Sequence, residues 1–244
     1  MSRITRYSSA LKRYHRSNGH GIHSPFAFHF VTSVLRERTP YYAYKDIEGY
    51  MNMVKGRNTF NRRHFREVKM ISFKCAKIIF RLINHFQPSN IFQISGNYGI
   101  ITKSIMYANS QVGIYTYEAT FSKYELAGYL KHGINSSNSI SQSASLKNLY
   151  DNYVEATGAE NPHFIVINDI RYEREFNITT TIIKNTINSN GVIIMRNLHT
   201  STMGKALWDN AKTELVNGMT FTNGKMGIII SNPKLPREDF TMWF

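Results

Sequence analysis

The 244-residue sequence predicts a mixed α/β protein with a mainly parallel sheet, closed by a C-terminal antiparallel hairpin and preceded by a small helical N-terminal region. Three observations predict it. From residue 90 onward, short apolar runs alternate with longer stretches of helical periodicity, the pattern of βαβ units. The first run, Ile91-Phe92-Gln93-Ile94-Ser95, leads directly into Gly96-Asn97-Tyr98-Gly99, a glycine turn that opens a helix. Near the end, two apolar runs flank Asn223-Gly224, a pair that favours an antiparallel turn.

In chain order, Ser24-Pro25 supplies a cap and a first-turn proline for a helix whose face carries Phe26, Phe30, Val31, Val34 and Leu35 until Thr39-Pro40 stops it. A second helix is expected over Tyr44–Lys55, then a linker over Gly56–Arg66. From Glu67 to Phe86 the apolar residues Val68, Ile71, Cys75, Ile78, Ile79, Leu82, Ile83 and Phe86 keep helical spacing, and Pro88-Ser89-Asn90 breaks the run. Strands are expected at Ile91–Ser95, Gly113–Tyr117, Ser139–Gln142, Phe164–Asn168 and Gly191–Met195. Helices fall between them at Ile100–Ala108, Phe121–Lys131, Leu146–Ala156 and Glu173–Asn188, with another at Ser201–Leu215. The hairpin strands are Met219–Thr222 and Met226–Ser231. This divides the chain into a basic helical extension, 1–66, and one larger domain, 67–244.

No apolar run reaches the roughly 20 residues of a membrane span. The start, MSRITRYSSALKRYHR, lacks the apolar segment of a secretory signal, so a cytoplasmic location is expected. The single Cys75 can neither close an internal disulfide nor assemble a zinc site, and its apolar helical face points to a buried thiol. Residues 1–66 hold thirteen Lys/Arg against Glu37, Asp46 and Glu48, which leaves only +4 of the formal +14 for everything after. Such an arm attracts nucleic acid, acidic headgroups or an acidic partner, and a solvated surface carries the same signal.

Ligands of open parallel sheets bind beyond the carboxyl ends of the strands. There, the second strand ends in Glu118, twenty-two positions after Gly96, close to the offset at which an acid meets a ribose diol. A carboxylate accepts two hydroxyl hydrogens at once. A glutamate capping the next helix is the alternative role.

These residues carry a resemblance. Ile91–Gly99, then IYTYEATFSKYELAGYLKHG, FIVINDIRYE and GVIIMRNLH, followed by a helix with Trp208 and a closing hairpin, resemble the class I S-adenosylmethionine-dependent methyltransferases, nearest the small-molecule O-methyltransferase-like branch. The opening GHGIHSPFAFHFV resembles the N-terminal signature of a bacterial group in that branch. The resemblance implies a Rossmann-like seven-stranded sheet with S-adenosylmethionine over the first glycine loop and a small-molecule acceptor above the fourth and fifth strands. Ser95, Gly96, Tyr98 and Gly99 would line the methionine half, Glu118 the ribose, and Ser143 the adenine. Gln93 and Asn168, which the resemblance also places among the cofactor-binding residues, stand at two stations where the family has an acid, and Arg196-Asn197 at a third. An amide at Gln93 cannot neutralise the cofactor's positive charges, and Arg196 opposes a divalent cation, so no metal is expected. Asp169 and His199 are the candidate catalytic groups.

Two functions follow. The first is an active methyltransferase with the N-terminal helices as a lid; the second is a catalytically degenerate relative that binds a ligand, a partner or nucleic acid through residues 1–66.

Overall fold

The computed structural model describes residues 13–58, 70–118, 139–159, 161–170 and 172–244; the expected helix at Phe121–Lys131 lies outside them. Helix α1 (Pro25–His29) starts where expected, because the Ser24 hydroxyl accepts from the Ala27 amide and proline takes the first turn. It widens into a π-helical turn over Phe30–Leu35, which buries Phe30, Val31, Val34 and Leu35 together. Helix α2 (Ala43–Asn58) runs through the expected linker start, so Gly56–Asn58 are helical.

Helix α3 (Phe73–Phe86) begins later than its apolar spacing suggests. The Ser72 hydroxyl caps it by accepting from Cys75 N, while the amide of Ile71 is held by Asn97 Oδ1 at 2.8 Å instead of winding into the helix. Cys75 is half-buried rather than buried. Then follow β1 (Asn90–Ile94), α4 (Ile100–Ala108), β2 (Gly113–Tyr117), β3 (Ile140–Ser143), α5 (Leu146–Thr157), β4 (Phe164–Ile167), α6 (Glu173–Asn188), β5 (Val192–Arg196), α7 (Thr202–Glu214), β6 (Gly218–Thr222), β7 (Met226–Ser231) and β8 (Glu238–Thr241). Each expected strand is present to within one residue at either end.

The chain divides into two compact units, Thr39–Pro162 and Met1–Arg38 with His163–Phe244. In the first, the strands are parallel in the order β3-β2-β1. Their register aligns Ile94 with Tyr117 and Tyr117 with Ser143, so the carboxyl ends of all three strands finish on one line. Helix α5 covers one face, with the Tyr153 ring 4.9 Å from Tyr115 and 5.9 Å from Phe92.

The second unit holds β4-β5-β7-β6-β8. Strands β4 and β5 are parallel, β7 runs antiparallel to both β5 and β6, and β8 pairs parallel with β6. The described strands therefore number eight, not seven. The sequence hides β8 because Phe240 is its single apolar residue, preceded by two acids; the Phe240 ring stacks on Phe221 at 5.1 Å, and Phe221 meets Phe30 at 4.8 Å. The hairpin closes through residues 223–225: Asn223 Oδ1 accepts from Lys225 N and Met226 N, and Gly224 takes a φ of 87°. Ser17, fully buried, accepts from the Trp243 amide at 2.8 Å and donates to the Arg13 carbonyl at 2.6 Å. No described helix is long and apolar enough to cross a membrane.

Candidate functional site

The turn between β1 and α4 is held in an unusual backbone. Ser95, Asn97, Tyr98 and Gly99 all lie in the left-handed region, with φ of 64°, 51°, 60° and 74°. Three of them carry side chains, and each such residue costs on the order of 1 kcal/mol or more. The surroundings impose the shape. Ser95 N donates to the Tyr117 carbonyl at 2.8 Å, Asn97 Oδ1 accepts from Ile71 N, and the Tyr50 hydroxyl of α2 donates to the Tyr98 carbonyl at 3.0 Å.

Gly96 is needed for space rather than for backbone freedom. A Cβ there would stand 2.6 Å from Gln93 Nε2, 2.7 Å from Glu118 Oε1 and 2.8 Å from Thr102 Oγ1. The bare backbone of the loop thus rests directly on three polar side chains.

Two of those three were singled out in the sequence. Gln93, fully buried, donates its amide hydrogens to Thr102 Oγ1 at 2.8 Å and Thr116 Oγ1 at 2.7 Å, joining β1, β2 and α4. A carboxylate has no hydrogen to give those oxygens. Glu118, just past β2 and 2% exposed, accepts the Gly96 amide hydrogen through its carboxylate. Ser143 is the last residue of β3 rather than the first after it, and its hydroxyl accepts from Ser145 N at 3.1 Å. The structure therefore brings Gln93, Ser95, Gly96, Tyr98, Gly99 and Glu118 together, with Ser143 on the same strand-end line.

Sequence reasoning passed over Lys103. It sits one turn into α4, 1% exposed, and its ammonium has no hydrogen-bond partner among the described residues. Instead it lies over the rings of Tyr50 and Tyr107, 5.7 and 5.8 Å from their centroids. Burial holds its pKa below the ordinary lysine value of 10.5. Burial, and then the charge of Asp46, raises that of the Tyr107 phenol. The available signal was a lysine inside Ile100-Ile101-Thr102-Lys103-Ser104-Ile105-Met106, a run with too little polar surface to leave it outside.

Two aromatic faces recover about 1–2 kcal/mol for a desolvated cation, less than the several kcal/mol that burying a charge costs. Lys103→Met is accordingly expected to stabilise the protein by about 1–2 kcal/mol at neutral pH. The folded pKa is lowered, so the unfolded chain binds more protons in the window between that value and 10.5, and wild-type stability rises with pH across it. Urea midpoints across the alkaline range should show that rise in wild type and a flatter curve in the variant. A destabilised variant would refute this account.

In the second unit, Asn168 follows β4 and is buried; Arg196 Nη1 donates to its side-chain oxygen, and Asn197 Nδ2 to its carbonyl at 2.9 Å. Asp169 is half-buried beside it. His199 is exposed and lies against the β6–β7 turn, where a Cβ on Gly224 would stand 2.9 Å from its Nε2. The structure thus gathers Asn168, Arg196 and Asn197, and sets the His199 ring on the hairpin.

No protein-family model matches the chain, and no curated protein matches it by sequence. Solved structures do. The SAH-bound methyltransferase PaMTH1 of Podospora anserina aligns over 86% of this chain and 97% of its own with a TM-score of 0.54 at 13% identity. A candidate O-methyltransferase from Klebsiella pneumoniae aligns over 92% of this chain and 99% of its own, with a TM-score of 0.51 at 9% identity. The chain has the Rossmann-like methyltransferase fold. At these identities the likeness speaks for the fold alone.

Proposed function

We propose that the Thr39–Pro162 unit binds S-adenosylmethionine and that the protein is a methyltransferase acting on a small-molecule acceptor. One observation carries the reading: the Glu118 carboxylate is fixed by the Gly96 amide at the carboxyl edge of parallel strands, where an adenosine ribose would find its acceptor. A carboxylate can accept from several donors at once, the Gly96 amide being one of them. That the same fold occurs in an SAH-bound methyltransferase supports the reading.

When bound, the cofactor supplies an electrophilic methyl group. Ser95, Tyr98 and Gly99 would line its methionine half and Ser143 its adenine. Gln93, spent on Thr102 and Thr116, acts through the loop it supports and is a positioning residue. We assign Asn168 to ligand contact, and Asp169 and His199 to the acceptor's proton: a hydroxyl acceptor must lose it as its oxygen takes the methyl, and a carboxylate or neutral imidazole can receive it. Alignment of acceptor and methyl supplies most of the rate in such a transfer, so few acids suffice. The Arg196 guanidinium on Asn168 argues against a divalent ion at these strand ends.

A second reading, a ligand-binding module without turnover, is favoured by the neutral amides of Gln93 and Asn168, both engaged in internal hydrogen bonds. Calorimetric titration with S-adenosylmethionine and its demethylated product separates the two. Micromolar binding is expected, weakened at least tenfold by Glu118→Ala, about 1.4 kcal/mol or more. A folded wild-type sample that gives no heat with either ligand sinks the proposal, and binding without methyl transfer to any hydroxylated acceptor selects the second reading.

A further inference from the structure

Six large apolar or aromatic side chains are exposed among the described residues, and three of them surround a single turn. Tyr14 is 51% exposed, Phe28 48% and Trp243 48%. Asn18 Nδ2 donates to the Tyr14 carbonyl, the Trp243 amide donates to Ser17 Oγ, and the Phe28 ring covers Gly19 so closely that a Cβ there would stand 2.5 Å from Cε2. Each of the three residues is about half exposed, so each leaves aromatic surface open to solvent beside the same turn.

The segment that carries Tyr14 and Phe28 is basic. From Arg13 to Arg36 the chain contains no Asp or Glu, while Arg13 and Arg16 flank Tyr14. Beside the turn lies a concavity of about 550 Å³ lined by Ser17, Asn18, Thr32, Arg36, Glu37 and Arg38. Arg36, which lines it, donates through Nη1 to Asn18 Oδ1 at 2.7 Å, one of the five donors a guanidinium carries. Glu37 is the one acid on the rim, set between two arginines.

We infer that this face, Tyr14, Phe28 and Trp243 with the Arg36–Arg38 concavity, binds single-stranded nucleic acid, its bases stacking on the rings and its phosphates meeting the guanidiniums. Guanidiniums beside sequence-tolerant aromatic faces are the recurrent means of holding unpaired strands. A duplex hides its base faces and would use only the charge. A membrane wedge would need side chains that protrude well beyond half exposure, along an amphipathic helix. The site lies within one compact unit and does not depend on the methyltransferase reading.

The test uses the full chain and a labelled oligouridylate about 12 nucleotides long at about 50 mM salt. Trp243 emission should be quenched, because the other tryptophan, Trp208, is 7% exposed and screened. Anisotropy should give a micromolar Kd that Trp243→Ala weakens at least fivefold. Arg36→Ala should flatten the log–log salt dependence by about 0.7. The Trp243 backbone bond to Ser17 survives the alanine substitution, so an unchanged melting curve is expected and certifies the fold. Three results overturn the inference: no binding at that salt, affinity unchanged by Trp243→Ala, or capture by vesicles rich in anionic lipid with none by the oligonucleotide.

Discussion

Gly96→Ala is expected to lower stability by about 3 kcal/mol or more and, on the proposed function, to remove S-adenosylhomocysteine binding altogether. The added methyl would meet Gln93 Nε2, Glu118 Oε1 and Thr102 Oγ1, all within 2.8 Å. None of the three is a loose chain end. Gln93 is tied to two threonines, Glu118 to the loop amide, and Thr102 lies in a helix that is buried over most of its length. Whichever yields, a buried hydrogen bond breaks, adding about 1–3 kcal/mol to the steric cost. For a chain of this size the melting temperature should fall by about 6–12 °C. A variant that melts within about 2 °C of wild type would show that the loop rides above its supports rather than upon them.

Gly227→Ala should be comparably severe. Gly227 lies in β7 opposite Met195, and a Cβ there would stand 2.3, 2.5 and 2.7 Å from three ring carbons of Trp208. The indole is 7% exposed and rigid, so it can only be displaced as a whole; a loss of about 3 kcal/mol is expected. Trp208→Leu opens a cavity at its own cost but removes the clash. The double variant should therefore lie at least about 1 kcal/mol above the sum of the singles in a denaturant-melt cycle. Strict additivity would mean that the strand, not the ring, absorbs the methyl.

How far the sequence disclosed this follows from where the signals are local. Ser24-Pro25 announced α1, and the alternation of apolar runs announced β1, β2, β4 and β5, because caps and periodicity are set by neighbouring residues. The start of α3 was misplaced because a residue 26 positions away, Asn97, takes the amide of Ile71. Strand β8 escaped notice because its pairing with β6 is paid for by one buried phenylalanine rather than by an alternating pattern. At the site, the spacing of Gly96 and Glu118 was legible and the two do meet. The left-handed run through Ser95, Asn97 and Tyr98 was not, since side chains there disguise a conformation associated with glycine. Lys103 was invisible for a related reason: charge reads as surface until packing shows otherwise.

The bond between Ser17 and Trp243 spans 226 residues. A ribosome must therefore release almost the whole intervening polypeptide before the helical turn at residues 13–17 can find its anchor. The Thr39–Pro162 unit, whose bonds are all shorter in span, is free to mature about 4–16 s earlier at ordinary synthesis rates, and a nascent chain stalled short of residue 243 should leave the amino-terminal turn open to protease while that unit resists it.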